Sequence, residues 1–138
     1  SLRISPLSSI HLVSMATSNI KPAETTYAID AAGRTLGRVA SEAASALLGK
    51  RSVHFAKNQA LPMKVIVSNA GKLHLPARRT KGTVYTRYTG HPGGLYKMTM
   101  EEMIMKKGIA EVVKKTVDGM IPRNKLRAPR MKNLVVNE

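Results

Sequence analysis

An α/β fold is predicted by three features of the chain. A strand, a turn and a helix follow one another between residues 25 and 49, an apolar run stands at Val65-Ile66-Val67, and two more helical segments begin after residue 99. Apolar strand segments alternating with amphipathic helices bury their faces by stacking helices on a mostly parallel sheet.

The elements follow in order. In Thr25 to Asp30, Tyr27 and Ile29 alternate with smaller residues, as in a strand, and Ala31 to Gly33 supplies the turn. Thr35 is placed as an N-cap; Leu36, Val39, Ala43 and Leu47 then form one apolar stripe, and Gly49 is suited to end the helix in the left-handed conformation. Lys50 and Arg51 sit at the negative end of that helix, a placement that stabilises by about 0.3–1 kcal/mol and leaves both free to meet RNA as well. Lys64 to Asn69 is expected to be a strand covered on both faces, because Val65, Ile66 and Val67 are consecutive and apolar. Thr83 to Tyr88 is a further strand candidate, and Arg78, Arg79 and Lys81 lie between the two on an expected surface loop.

Thr99-Met100-Glu101-Glu102 has the spacing of a capping box, in which the threonine hydroxyl meets the third backbone amide and Glu102 reaches back. After Gly108, Ile109, Val112, Val113, Thr116, Val117 and Met120 recur at helical spacing. Glu111 and Lys115 are an i,i+4 pair on that helix, Gly119 is expected to close it, and Pro122 prevents its continuation. A basic segment containing Arg123, Lys125, Arg127 and Arg130 leads to a last strand candidate at Asn133 to Val136. Apart from Tyr27, Phe55, Tyr85, Tyr88 and Tyr96 the chain has no aromatic residues, so an aliphatic core with methionine filling irregular gaps is expected.

Charge narrows the function. The 138 residues carry a net +15 with a pI near 10.6, and residues 43 to 100 hold ten lysines and arginines, Arg87 and Lys97 among them, without one aspartate or glutamate. Such a chain repels itself unless a polyanion neutralises it. Within that stretch, Tyr88-Thr-Gly-His-Pro-Gly-Gly-Leu-Tyr96 is a glycine-rich loop framed by aromatic residues, suited to bring backbone close to a partner. No apolar run approaches the roughly 20 residues that span a bilayer, and no one amphipathic helix gathers the positive charge, which sets nucleic acid above a membrane. The chain has no cysteine, and its four histidines have no ligand-like spacing, so neither a metal nor another cofactor is implied.

An enzyme is disfavoured. The turn at Asp30 to Arg38 has the order of a phosphate-cradling loop, but Gly33 and Gly37 are followed by Arg38 and Val39, not by the Lys and Ser or Thr of a P-loop, and the dinucleotide glycine pattern is absent. Glu101 and Glu102, the chain's adjacent carboxylates, point in different directions on a helix and are accounted for by capping. No small-molecule substrate is expected.

Four blocks in order resemble the large-subunit ribosomal protein family numbered thirteen, across roughly residues 26 to 136. They are Asp30-Ala-Ala-Gly-Arg-Thr-Leu-Gly-Arg-Val-Ala-Ser41 ahead of Leu48-Gly-Lys50, Val65-Ile-Val-Ser-Asn-Ala70, Tyr88-Thr-Gly-His-Pro-Gly-Gly-Leu95, and Gly119-Met-Ile-Pro-Arg-Asn-Lys-Leu126. The resemblance implies a three-layer α/β/α fold with a mainly parallel four-stranded sheet, a place on large-subunit ribosomal RNA beside other large-subunit proteins, and a role in early subunit assembly. By motif it places Arg34 and Arg38 at the first strand-helix junction, and His91, Gly93, Gly94, Lys97, Arg123, Asn124 and Lys125 in two basic loops facing RNA. With them the expected RNA-binding set includes Lys50, Arg51, Arg78, Arg79, Lys81, Arg87, Arg127 and Arg130, while Tyr85, Tyr88 and Tyr96 are open to stacking on bases or to packing. The chain departs from the family at Asn58 to Met63, where many members carry a Gly-Asp pair, and at Arg127, often glycine; it also ends soon after the last strand, so longer-tail contacts are not carried over.

Residues 1–22, serine-rich and without an acid, are expected to be a flexible extension, with 23–138 a single domain. Met15 is the expected start, with residues 1–14 translated upstream; a mitochondrial presequence remnant is the other reading. The expected location is accordingly a bacterial cytoplasmic ribosome, with a mitochondrial one as the alternative. A free-standing RNA chaperone or regulator is the competing function.

Overall fold

The computed structural model describes residues 24–138. The expected N-terminal extension, and the choice between a start at Met15 and a mitochondrial presequence remnant, lie outside the described residues. Among them, five strands and five α-helices follow in the order β1 (Thr25–Asp30), α1 (Leu36–Leu47), β2 (Met63–Ser68), α2 (Ala77–Gly82), β3 (Val84–Tyr88), β4 (Leu95–Thr99), α3 (Met100–Lys107), α4 (Ile109–Met120), α5 (Arg127–Lys132) and β5 (Leu134–Val136). A single 3-10 turn, Ala70–Lys72, follows β2.

The α/β expectation holds, with a parallel sheet ordered β1-β2-β5. Tyr27 pairs with Val65 and Ile29 with Val67 on one side of β2, and Val65 with Leu134 on the other. Two expectations are corrected. Among the described residues the sheet has three strands, not four, because β3 pairs antiparallel with β4 in a separate ribbon. The physical reason is proximity: a short glycine turn returns the chain beside β3 at once, whereas joining a parallel sheet needs a crossover. The second concerns the sheet's faces. Met63, Val65 and Val67 are buried while Lys64 is exposed and Ile66 only partly covered, and Val135 is 46% exposed. Helices therefore cover one face of the sheet among the described residues, in place of the expected three layers, and the run Val65-Ile66-Val67 alternates inward and outward like any half-buried strand.

On the covered face α1 and α4 pack against each other and over the strands. The expected stripe Leu36, Val39, Ala43 and Leu47 is buried, joined by Ala40, Ala44 and Ala46, whose small side chains let α1 lie close to its neighbours. Val112, Val113 and Val117 of α4 and Met100 and Met103 of α3 complete the aliphatic core. Gly49 adopts φ 78°, the left-handed stop foreseen after α1. Thr35 is the N-cap residue of α1, but its side chain makes no capping bond; its carbonyl accepts from Arg38 and Val39 N–H. The capping box at Thr99 and Glu102 is formed in both directions, at 3.3 and 3.1 Å.

Gly119 does not close α4. The helix runs on to Met120 and stops because Ile121 precedes Pro122, which pushes it into the extended region (φ −88°, ψ 140°). Helix α5 was not anticipated, since Pro129 falls within it; as the third residue Pro129 sits in the first turn, where the missing N–H has no intrahelical partner to lose. Arg78, Arg79 and Lys81, expected on a loop, belong to α2.

Two substitutions measure these contributions. Leu47→Ala, at a position 1% exposed, is expected to lower unfolding free energy by about 2–5 kcal/mol, and Thr99→Ala by about 1 kcal/mol through loss of the cap. Both are read by urea unfolding.

Candidate nucleic-acid interface

The expected RNA-facing residues fall into separate groups, each placed by the end of an element. At the start of α1, the chain after β1 turns through Gly33 and is tied to the segment before α2 by His74 N–H donating to the Arg34 carbonyl at 3.0 Å. This seats Arg38 of α1 beside His74 and Arg79 of α2, which together line a cleft of about 420 Å³. His74 was not singled out from the sequence, because only the bridge between Thr35 and His74 brings it there.

Arg34 and Arg51 converge on one carboxylate. Glu42, on α1, accepts from Arg34 at 2.7 Å and from Arg51 at 2.9 Å. Hydrogen bonds from Arg34 first and Arg51 second hold the Glu42 carboxyl below its ordinary range. Arg51 also lies over the Tyr27 ring, 5.7 Å from its centroid. Much of the charge of these two arginines is thus spent within the protein, tying both flanks of α1 to its middle, while Lys50 remains exposed. Asp30 is likewise structural: Asn69 and the Ala32 N–H donate to it at 2.9 and 3.1 Å, and these bonds lower its pKa.

The glycine loop is the tip of a hairpin. Arg87 stands opposite Tyr96 and Thr86 opposite Lys97, and Thr89 N–H closes the turn on the Gly94 carbonyl at 3.1 Å. Two of the glycines are required by the turn itself. Gly93 has φ 75°, and a side chain on Gly94 would run into the Thr89 hydroxyl. Their first role is to form the turn that presents exposed His91. Strand β4 was not predicted, although Leu95-Tyr-Lys-Met-Thr99 after two glycines carried the signal of a hairpin's return strand.

Below the hairpin, Tyr85, Arg87, Tyr96 and Met98 face α3 and α4 across a groove of about 360 Å³, with Lys107 and Lys115 on its far wall. Lys115 was expected to pair with Glu111. It instead places its ammonium 5.0 Å from the Tyr85 centroid, and burial raises the Tyr85 pKa. Neither groove lysine was in the expected RNA-binding set, since only the tertiary fold brings α3 and α4 beneath β3 and β4.

After α4, Arg123, Asn124, Lys125 and Arg127 line an open recess of about 550 Å³ together with Asp118. Asp118 takes Arg127 at 3.0 Å, and Arg123 and Lys125 are exposed. Arg130 requires a correction: it is 2% exposed and donates to the Gln59 carbonyl at 3.0 Å, so its guanidinium is buried in the fold and not presented to a partner. Arg127, one turn earlier on α5, stays partly exposed and turns its guanidinium to Asp118 instead. No group of three or more His, Asp or Glu residues able to hold a metal occurs among the described residues, and no helix there is long and apolar enough to cross a membrane.

A helix-covered parallel sheet whose cations stand on turns, short helices and a hairpin defines the class: a small basic α/β protein with several charged edges. The sequence profile of the family described as ribosomal protein L13 matches residues 24–138, and the chain belongs to that family, whose members are ribosomal components and not enzymes. Among its relatives are proteins named large ribosomal subunit protein uL13. That of Moorella thermoacetica is 41% identical over 125 residues, covering 88% of this chain and 86% of the relative. Those of Spiroplasma citri and Mesomycoplasma hyopneumoniae strain 7448 are 39% and 41% identical over 110 residues, covering 80% of this chain and 75% and 76% of the relatives.

The Glu42 clamp sets a pH dependence. Because the folded pKa is lowered, its contribution is present above the unfolded carboxylate pKa and is lost as pH falls through the folded one. Glu42→Gln is expected to cost no more than about 1 kcal/mol at neutral pH, since both arginines are over a third exposed. The stability gap between the two proteins should narrow as pH falls below the ordinary glutamate pKa of about 4.3 and vanish only below the lower folded one; a gap unchanged by acid would exclude the clamp.

Proposed function

We infer that the protein is a structural constituent of the large ribosomal subunit, holding large-subunit RNA through its basic edges and supporting early assembly of the subunit. The observation that carries this reading is the family match across residues 24–138, with relatives named as large-subunit proteins. The surface chemistry agrees with it. Arg38 and Arg79 at one cleft, Lys81 and Arg78 on α2, Arg87, His91 and Lys97 on the hairpin, and Arg123, Asn124 and Lys125 after α4 are exposed donors that a phosphate backbone would satisfy.

The mechanism is electrostatic docking joined to recognition of shape. Lysine and arginine side chains displace counterions from folded RNA, and the short hairpin turn brings backbone near phosphate where a bulkier loop would stand off. Lys50 and the unpaired donors of Arg34, Arg51 and Arg127 add weaker contacts at the rim. Arg130 takes no part, being buried. Residues 23–138 act as one domain, bordered in the subunit by other large-subunit proteins. The bacterial source of the relatives above supports a bacterial-type ribosome, and with it the cytoplasm.

Sedimentation tests the reading. In a sucrose gradient at moderate salt the protein should travel with large subunits at near one copy each, and a position confined to the light fractions would instead favour a free RNA chaperone. Binding to large-subunit RNA should weaken steeply with salt, and joint replacement of Arg123 and Lys125 by alanine should reduce the slope of log affinity against log salt by about 1–2. An affinity independent of salt would sink the electrostatic mechanism.

A further inference from the structure

The groove beneath the hairpin combines features that the basic edges lack. Its floor is apolar, formed by Met98 and the half-buried Tyr85; its outer wall is the Tyr96 ring, 66% exposed; and Arg87, Lys107 and Lys115 ring it, with no carboxylate in the lining. Arg87 and Tyr96 are cross-strand partners, and Tyr85 lies diagonal to Tyr96 on the same face of the ribbon. The inner ring is already engaged by Lys115 at 5.0 Å, which leaves Tyr96 as the free aromatic surface.

An exposed tyrosine over an apolar floor, ringed by three cations, matches a nucleotide that has left its helix. The base offers an uncharged π-face and the attached phosphates offer charge. A volume of about 360 Å³ is at the lower end of the roughly 300–1,000 Å³ of sites that enclose small organic groups, enough for one base and too little for a helix or strand of a protein. An apolar protein segment would also leave Arg87, Lys107 and Lys115 partly desolvated with no counter-charge. A base-paired stretch of RNA would leave the groove empty, because its bases are turned inward and its deep groove does not admit these side chains.

We propose that the groove between the β3–β4 hairpin and α3–α4 captures a single unpaired RNA nucleotide, the base stacking on Tyr96 and the flanking phosphates held by Arg87, Lys107 and Lys115. The inference rests on the RNA-binding reading above and adds to it a site that selects unpaired over paired RNA. The basic edges supply affinity that any RNA helix can draw on. The groove fixes where along the RNA the protein sits.

The test uses the full chain and two short RNA duplexes, one carrying a single bulged 2-aminopurine and one fully paired. The bulged RNA should bind about 5- to 150-fold more tightly, the range set by stacking one base on an aromatic side chain, and its fluorescence should change on binding. Tyr96→Ala should bring the ratio close to one, and Lys107→Ala should reduce it, while Met105→Ala, on an exposed part of α3 outside the groove, should keep it. Adenosine monophosphate should displace the bulged RNA only at far higher concentration; displacement at equal concentration would make the ligand a free nucleotide and overturn the proposal. Equal, salt-sensitive binding of both duplexes would overturn the capture site and leave the RNA-binding reading standing. Binding of neither would remove both. Thermal unfolding of each variant confirms that the fold is intact, as expected for side chains this exposed.

Discussion

Eight carboxylates have to hold together a chain that carries 23 lysines and arginines, and where they are placed governs the rest of the structure. Glu42 clamps Arg34 and Arg51, Asp118 pairs with Arg127, and Glu24 reaches Lys64 at 3.3 Å across the β1–β2 edge. Asp30 accepts from Asn69 and from the turn after β1, and Glu102 completes a capping box. Glu138 accepts from Ala110 N–H at 3.3 Å at the start of α4, where Glu111 occupies the first turn as Glu101 does in α3. Most of these positions face a cation or the positive end of a helix, and at Asp30 and Glu42 the hydrogen bonds received hold the carboxyl below its ordinary range. Among the described residues the cations outside these pairs, Arg130 apart, are left at the surface.

That division explains why binding groups and scaffold are so cleanly separated. The core under the sheet is aliphatic and closely packed, with Val39, Val65, Val67, Val112, Val113 and Val117 wholly inaccessible, and among the described residues Arg130 at its border is the one buried charge. Surplus charge cannot enter such an interior without a partner, because a charge moved into a low-dielectric medium costs several kcal/mol. It is therefore displaced to element ends and turns, where water screens it until a phosphate does. Arg130 is instructive as the exception. It keeps one bond to the Gln59 carbonyl, fastening the long connection between α1 and β2 to α5, while its Nε has no protein partner.

Much of this was legible in the chain, and what was not has definite causes. Local signals worked where the physics is local: the buried stripe of α1, the left-handed Gly49, the reciprocal cap at Thr99 and Glu102, and the strands around Ile29 and Val65 all depend on residues within a few positions of one another. Pairing is not local. Nothing at Thr83 to Tyr88 says whether its partner is a parallel strand or its own return strand. Val65-Ile66-Val67 misled because three apolar residues look the same whether the middle one is covered or half-exposed. Charge was the hardest to read. Arg130 and Arg123 are indistinguishable in a basic segment, and only α5, hidden by Pro129, turns one inward and leaves the other facing solvent.

The hairpin shows how a local rule and a tertiary one combine to make a binding surface. Gly93 and Gly94 shape a turn tight enough that β4 returns in register with β3, and that register sets Arg87 against Tyr96. Thr99 then serves as the last residue of β4 and the cap of α3, so the strand passes into the helix without a loop. The direct junction leaves little freedom in how α3 sits relative to the ribbon, and Met100 N–H donating to the Thr83 carbonyl at 3.0 Å pins its first turn to the base of β3. A groove whose walls are fixed in this way is preorganised, so that the partner's order is the main entropy to be lost on binding. The cap that stabilises α3 lies at the junction of the strand carrying Tyr96 and the helix carrying Lys107, which joins the stability of the scaffold to the shape of the surface it presents.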